Sequence, residues 1–562
     1  MRQPVVLRKA TAAAILLLSL MSLIGTACPA GDSRGPAPRA TDSRTEVDPA
    51  IARSRWFRAA CTIPATLFER IRRDYYPGRS PELIALPAEP NYYGAFVGTS
   101  HSGPWDYVQG VPLVLYGPGF VKSQGDITLD REVTVADIAP TMAELLKIEW
   151  PADRPGRAVT EALLDERDTP KMIVLVVWDG GGTNVLEQWP NAWPNLARLM
   201  DEGTSVQNAI VGSSPSNTPP SHTNMATGAW PNQHGIVDIK LRDGDDTVDS
   251  FVKDPTGYLE LTTIGDIYDQ TVDNQALVGM FGYHRWHLGM LGRGSAIEGG
   301  DKDLAVVVHN DGDRIVGIPN YFEFPPYAAG VPGLEEDIET VDDSDGADDG
   351  LWLGHDDLRD PFDLKHSPAF ILYQTRVLEQ ILEREGFGDD DVTDLFFVNY
   401  KPIDTVGHKY NMVNRETESA VRFSDGELAK LERLLDATAG EGSWVMIMTA
   451  DHGQTPGALS TGAWPINMDR VRNDVANHFE FSAGDVFDDA RVGHFWVDQA
   501  GLEQAQVTLE EIADFLADYR LEDNLAAGQA APDGYGDRVN EKLFAGAWPT
   551  AYTEDIAGCI SR

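Results

Sequence analysis

The most regular signal in this chain is a set of short, unbroken apolar runs, each followed at once by a polar or glycine-rich turn. Met172–Trp178 is wholly apolar and runs into Asp179-Gly180-Gly181-Gly182. Residues 395–399 and Trp444–Thr449 repeat the pattern, the first leading to Asp404 and the second to Asp451. Residues 111–117 make a further buried strand that ends in a turn. Runs without polar alternation fit strands covered on both faces, as in a parallel sheet. Between them, residues 133–146 place Val135, Ile138, Ala139, Met142, Leu145 and Leu146 at helical spacing. Residues 195–202 do the same with Leu196, Leu199 and Met200, and Gly203 stops that helix. Such alternation predicts an α/β fold with a mainly parallel sheet. Ligands of such sheets gather beyond the carboxyl ends of the strands. A strand at 493–497 and a helix at 508–519 add a small α/β excursion. The acidic stretch at 342–350 lacks the spacing of a calcium loop and is expected to be a solvated loop.

The N-terminus follows another pattern. Arg2, Arg8 and Lys9 precede an apolar run from Ala10 to Ala27, which ends at Cys28. This is the layout of an export signal. Gly25, Thr26 and Ala27 before Cys28 resemble a lipoprotein cleavage box, although the usual leucine three positions ahead of the cysteine is absent. Residues 1–28 are therefore expected to be a signal peptide of lipoprotein type, with Cys28 the lipidated residue and the cell surface or exterior the destination. Plain secretion and an uncleaved anchor are the other readings. Residues 29–48 read as a polar tether. If Cys28 carries lipid, Cys61 and Cys559 remain as an even pair in an oxidising compartment, either bonded or as unrelated thiols. The 88 acidic residues against 45 basic ones give a net charge of -43, which excludes a basic track for a nucleic-acid backbone. A metal site can still hold a positive potential inside such an acidic shell. With 562 residues, 42% of them hydrophobic, the chain can bury a large core.

The candidate chemistry lies directly after the strands. Asp404 and His408 are four residues apart, one face of a helical turn. Asp451 and His452 are adjacent and can converge on one ion only from a turn, which Gly453 permits. Asp179 follows the first long strand, and Asn217-Thr218-Pro219-Pro220-Ser221-His222 supplies a hydroxyl beside two prolines suited to a helix start. Carboxylate and imidazole are the ligands of zinc-type hydrolytic sites.

In this order the motifs resemble the alkaline phosphatase superfamily, in its type I phosphodiesterase/nucleotide pyrophosphatase branch. The resemblance rests on Asp179, Thr218-Pro219-Pro220-Ser221-His222, Thr227-Gly228 through Pro231 to His234-Gly235-Ile236, Asp404 with His408, and Asp451-His452-Gly453. It implies a three-layer sandwich with a mainly parallel central sheet and inserted cap-like segments. It also implies a two-zinc site and a phosphothreonine-type intermediate on Thr218, with Ser216 and Ser221 as fallback hydroxyls. One zinc would be held by Asp179, Thr218, Asp451 and His452, the other by Asp404, His408 and one more histidine. The substrate would be a small phosphate ester.

That last histidine normally follows the Asp-His-Gly motif in a Gly-Thr-x-His stretch. Here Gly98-Thr99-Ser100-His101 stands far upstream, so His101 is preferred to His478 and His494, which lack that context. The resemblance then implies a circular permutation. Residues 49–160 would be the family's C-terminal portion moved to the front, and 172–562 the main part of the catalytic domain, with a cap-like insertion within 240–370. A Cys61–Cys559 bond would then stand in for the lost peptide link. The diesterase asparagine is replaced by Ile239, and the monoesterase Lys-x-Arg pair by Tyr283-His284-Arg285-Trp286-His287. Asn217, Asn224 and Arg285 are the candidates for holding the phosphate. An inactive cell-surface binding protein on the same fold, or a phosphonate or pyrophosphate hydrolase of the superfamily, is the alternative.

Overall fold

Apolar runs without polar alternation become strands with both faces covered, and the central sheet is built from them. The computed structural model describes residues 47–561, apart from 95–96, 252–255, 309–313 and 527. The expected signal peptide, Cys28 and nearly all of the expected tether lie outside the described residues. From Asp48 onward the chain forms one compact unit, so segments 49–160 and 172–562 share one body.

Among the described residues the main sheet has nine strands. In chain order they are β1 (Leu113–Tyr116), β2 (Gly125–Ile127), β3 (Met172–Trp178), β4 (Thr204–Val206), β5 (Val278–Gly282), β6 (Leu304–Val308), β7 (Ile315–Gly317), β8 (Asp394–Tyr400) and β9 (Trp444–Thr449). Their spatial order is β7-β6-β5-β8-β3-β9-β1-β4-β2. The run from β6 to β9 is parallel, whereas β7 and β1 oppose it. The helices that matter below are α1 (Ile138–Leu146), α2 (Pro194–Glu202), α3 (Thr218–Thr227), α4 (Ala369–Glu385), α5 (Pro402–Tyr410) and α6 (Arg415–Thr438).

Strand β3 shows how three layers arise. Successive side chains point to opposite faces. Met172, Val174, Val176 and Trp178 join one core with Leu196 of α2, Leu378 of α4 and Leu428 of α6. Ile173, Leu175 and Val177 join the other with Met142 of α1 and Met225 of α3. Each of the seven β3 side chains is buried, so a polar substitution anywhere along the strand would strand a charge or dipole in an apolar layer.

Some elements depart from the sequence pattern. The helix expected over 133–146 begins only at Ile138. Val133 and Thr134 pair with Ala209 and Ile210 as a short parallel ladder, and a 3-10 turn follows, closed reciprocally by Thr134 and Asp137. The β-branched pair favours the extended form, so the helix starts about one turn later than the apolar spacing predicts. The helix expected over 508–519 is confined to Leu509–Leu516, with Thr508 as its cap. Residues 240–370, where a cap-like insertion is expected, supply β5, β6 and β7 to the main sheet. A separate four-stranded antiparallel sheet comes from distant parts of the chain. Its central strands, His494–Val497 and Leu83–Pro87, lie between Phe487–Arg491 and Phe544–Pro549. In the acidic stretch, Asp342 accepts the Gly350 and Leu351 N–H groups (2.9 and 3.2 Å), closing the loop on itself.

Cys61 and Cys559 are joined by a disulfide, with Cα atoms 5.7 Å apart across 498 positions of sequence. The bond fixes the helix Arg55–Ala60, which packs on Phe544–Pro549, to the terminal helix Thr553–Ile560. Arg72 pairs with Glu554 at 2.9 Å beside it, an exposed bridge of small value. A Cys61→Ser/Cys559→Ser double variant should lose about 2–4 kcal/mol. Differential scanning calorimetry, with limited proteolysis of the last helix, checks this; an unchanged midpoint and an intact terminus would show that packing alone holds the ends.

Candidate metal centre

The parallel strands deliver the site because they end level. Tyr400 of β8 lies opposite Trp178 of β3, and Thr449 of β9 opposite Val177. Asp179, Lys401 and Asp451 leave these ends within two residues. Pro402 then starts α5, which puts Asp404 and His408 on one face. Gly180, at φ +70°, permits the close turn after Asp179, where a Cβ would lie 2.9 Å from the Asp404 Cα. Gly98 does the same for the loop bearing His101, since a Cβ there would come within 2.2 Å of the His408 carbonyl.

Three histidines are held in one tautomer. The Nδ1 atoms of His101, His408 and His452 lie 2.9, 3.0 and 3.0 Å from the carbonyls of Ser216, Thr99 and Gly453. A carbonyl only accepts, so each Nδ1 carries a proton; the neutral rings of His101 and His452 then present a lone pair at Nε2, whereas at His408, against burial, Asp404 raises the pKa. His101 and His408 aim Nε2 at Asp404 Oδ1, at 3.7 and 3.2 Å. His101 also stacks on His452, ring centroids 3.5 Å apart. The His452 Nε2 lies 3.4 Å from Asp451 Oδ2, 3.7 Å from Asp179 Oδ1 and 3.9 Å from Asp404 Oδ1. Burial holds the His101 and His452 imidazoles below their ordinary pKa, which keeps them neutral.

Buried atoms without a hydrogen-bond partner include Asp404 Oδ1, Asp451 Oδ2 and His452 Nε2, all in this cluster. Leaving such groups unpaired costs about 1–3 kcal/mol each. A cation coordinated by them removes that cost, and the nitrogen and oxygen donor set suits a zinc-type ion. The residues fit a metal.

Thr218 is the first residue of α3, with Asn217 in the N-cap position. Its Oγ1 lies 3.1 Å from the Lys401 Nζ. The same ammonium donates to Asp179 Oδ1 at 2.6 Å and pairs with Asp404 Oδ2 at 2.7 Å. Burial would raise the Asp179 and Asp404 carboxyls; Lys401, with His408 at Asp404, outweighs it and holds both below the usual carboxylate range. Asp451 has the opposite fate: burial and the neighbouring Asp179 lift it well above that range. The second Asp179 oxygen, Oδ2, is held by Asn399 Nδ2 (3.1 Å) and by His287 Nε2 (3.3 Å). His287 Nδ1 lies 2.8 Å from the His284 backbone nitrogen and 2.7 Å from its carbonyl oxygen, contacts that fix the ring with Nε2 toward Asp179.

The structure therefore brings together Asp179, Thr218, Asp404, His408, Asp451, His452 and His101. It does not bring in the other candidates. Asn217 turns away, donating to Asp238 Oδ1 and accepting from Ser102 Oγ, both at 2.6 Å. Asn224 lies two turns into α3, its buried amide paired with Ser213 Oγ (2.9 Å) and His234 Nε2 (2.8 Å). Among the described residues, Arg285 makes no hydrogen bond or ion pair with the cluster; its own short turn sends His287 there instead. His494 bonds Asp238 at 2.9 Å, His478 packs on Phe479 and Phe515, and Ser216 donates to the His101 carbonyl at 2.6 Å. The Ser221 hydroxyl is buried without a partner inside α3. Lys401, Asn399 and His287 were missed in the sequence. The one available signal was a lysine set directly between a core strand and a helix-starting proline.

Residues 173–532 match the family described as type I phosphodiesterase/nucleotide pyrophosphatase. The chain is 24% identical over 148 residues to alkaline phosphatase PafA of Elizabethkingia meningoseptica, a match covering 25% of this chain and 27% of that protein. It is 35% identical over 77 residues to alkaline phosphatase PhoV of Synechococcus elongatus, covering 13% of this chain and 14% of that one. The chain thus spans about a quarter or less of the length of these curated relatives. The crystal structure of wild-type PafA superposes with a TM-score of 0.53 at 17% identity, over 68% of this chain and 85% of that one. This is a likeness of fold, the three-layer α/β arrangement with a mainly parallel sheet.

Proposed function

The chain belongs to the type I phosphodiesterase/nucleotide pyrophosphatase family, a group of phosphoric ester hydrolases, and from that premise we propose that it hydrolyses small phosphate esters at a two-zinc centre with Thr218 as nucleophile. One ion is held by Asp404, His408 and His101, the other by Asp179, Asp451, His452 and Thr218. The observation that carries this reading is the trio of partnerless ligand atoms on Asp404, Asp451 and His452, gathered around a threonine hydroxyl at a helix start. When bound, zinc supplies Lewis-acid stabilisation of phosphoryl oxygens and lowers the pKa of a coordinated hydroxyl.

The chain's own groups do the rest. Thr218 Oγ1 attacks phosphorus as its proton passes to solvent, an O–P bond forms, and the bond to the leaving alcohol breaks, the alkoxide taking up a proton from water. Water then attacks the phosphothreonine-type intermediate, its proton returning the Thr218 hydroxyl, and releases phosphate from a monoester or the remaining monoester from a diester. Of the first three residues of α3 only Thr218 has an N–H to offer an incoming anion, because Pro219 and Pro220 carry none, and the Ser221 N–H is bonded to the Asn217 carbonyl. His287 and Asn399 hold Asp179 Oδ2, so that Oδ1 faces Lys401 and the cluster.

Two further parts of the reading rest on the sequence and on chain order. The protein is exported, by lipid anchor at Cys28 or by secretion. Its catalytic domain is circularly permuted: the family match begins at the start of β3, His101 and β1 precede it, and the Cys61–Cys559 bond ties the two ends.

The test pairs zinc content by mass spectrometry with turnover of p-nitrophenyl phosphate and bis-p-nitrophenyl phosphate. Bound zinc with turnover of either ester is the expected result, and the faster ester assigns the class. Absence of zinc together with inertness toward both would leave a binding protein on this fold.

A further inference from the structure

Toward one edge of the sheet, at the amino end of its second strand and away from the metal centre, three carboxylates meet without a cationic partner among the described residues. Asp269 lies in the last turn of the helix Ile264–Thr271, and Asp301 and Asp303 immediately precede β6. Oxygens of all three lie within 4.8 Å of one another. The catalytic cluster follows the carboxyl ends of the parallel strands, so this trio, at the amino end of β6, is a different place.

Two of the three are buried: Asp269 is 4% exposed and Asp303 6%. Among the described residues Asp269 Oδ1 has no hydrogen-bond partner, and the Asp269 carboxyl faces that of Asp301. Among the described residues no lysine, arginine or histidine pairs with any of the three. Lys302, between two of them, gives its ammonium to the Pro319 carbonyl at 2.6 Å. Burial and Asp301 lift the Asp269 carboxyl to about 7, and burial lifts Asp303 well above its ordinary range, with only acids as electrostatic neighbours. A carboxylate in the last turn also faces the negative end of its helix. Every local term therefore opposes negative charge here, yet three acids converge.

We propose that Asp269, Asp301 and Asp303 form a binding site for a hard divalent cation, with calcium the ion that the ligand type favours. Oxygen-only donors select calcium, magnesium or manganese over zinc. Calcium–oxygen bonds of about 2.4 Å allow ligand oxygens on opposite sides of the ion to sit about twice that distance apart, within the observed spread. The exposed Asp301 is the entry side, and water completes the shell. The ion ties the end of the helix Ile264–Thr271 to the start of β6.

The test uses the full zinc-loaded protein, so that the metal centre is already filled, and adds calcium chloride. Saturating calcium should raise the thermal midpoint by about 2–3 °C. Isothermal titration should show one calcium per chain. Asp301→Asn, at an exposed position that leaves the fold and phosphate-ester turnover intact, should abolish both the shift and the binding heat. Asp269→Asn should raise the midpoint of the calcium-free protein, because it removes one of the crowded charges. The proposal is overturned if calcium leaves the wild-type midpoint unchanged or if Asp301→Asn keeps the shift. A lower calcium-free midpoint in Asp269→Asn also overturns it, since the acids would then be sharing a stabilising proton.

Discussion

Replacing Thr218 with alanine will reduce phosphate-ester turnover by at least about a thousandfold while leaving the bound metal in place. The hydroxyl is the reacting atom of the proposed first step, and no other hydroxyl can take its position. Ser216 Oγ donates to the His101 carbonyl, and Ser221 Oγ is buried inside α3. Metal retention follows from the remaining donors, since Asp179, Asp451, His452, Asp404, His408 and His101 are all unchanged. The substitution removes a methyl and a hydroxyl from a nearly buried position, so the stability loss is about 1 kcal/mol and the fold survives. Thr218→Ser keeps the hydroxyl and should recover much of the rate. Steady-state kinetics with metal analysis on the same samples decides the matter. Turnover in Thr218→Ala above a tenth of wild type would remove Thr218 from the nucleophile role.

The second large effect belongs to Lys401, whose Nζ stands among Asp179, Asp404 and Thr218 with a side chain only 9% exposed. Three buried carboxylates, counting Asp451, face this single ammonium, so without metal it is the main compensating charge. Removing one partner of a buried ion pair costs about 3–5 kcal/mol, because the other charge is left uncompensated. Lys401→Met keeps the length of the side chain and loses the charge. The metal-free variant should therefore be destabilised by roughly that amount. Its zinc affinity should rise more than about tenfold, because an entering cation no longer competes with an ammonium for Asp179 and Thr218. Thermal midpoints of stripped and zinc-loaded protein, together with a chelator competition, read both effects. Equal destabilisation of the two forms with unchanged affinity would mean that lysine and metal occupy the centre together without competing.

The two predictions differ in how far the sequence could have led to them. Thr218 was legible because a hydroxyl, two prolines and a histidine occupy fixed places in a short motif. Lys401 was not, since a lysine after a strand usually points to water. Only the level ends of β3 and β8 bring its Nζ onto two carboxylates. Strands β3 and β9 emerged with the bounds expected, because their apolar runs stop abruptly at glycine, alanine or acidic residues. The small sheet stayed hidden for the opposite reason. Leu83 pairs with Phe495 and Pro549, more than four hundred positions away, and no local periodicity reports such partners. His287 was hidden by direction: a 3-10 turn decides whether Arg285 or His287 faces inward, and composition is silent on turn geometry.

Strand β1 has a further consequence, for the order in which the molecule can assemble. Its ladder partners are Thr204–Ser205 and, on the other side, Met446–Thr449, both made after it. A growing chain therefore holds Leu113–Tyr116, an apolar segment with open edges, through more than three hundred further residues of synthesis before the second edge closes. Pairings of such long range are slow to form, and open apolar edges invite association with other chains. The loop carrying His101 is tied to the same delay, since its contact with Thr455 lies beyond β9. The candidate metal centre is thus among the last parts of the molecule to assemble, and its yield depends on how well the early segment is shielded while the rest is made.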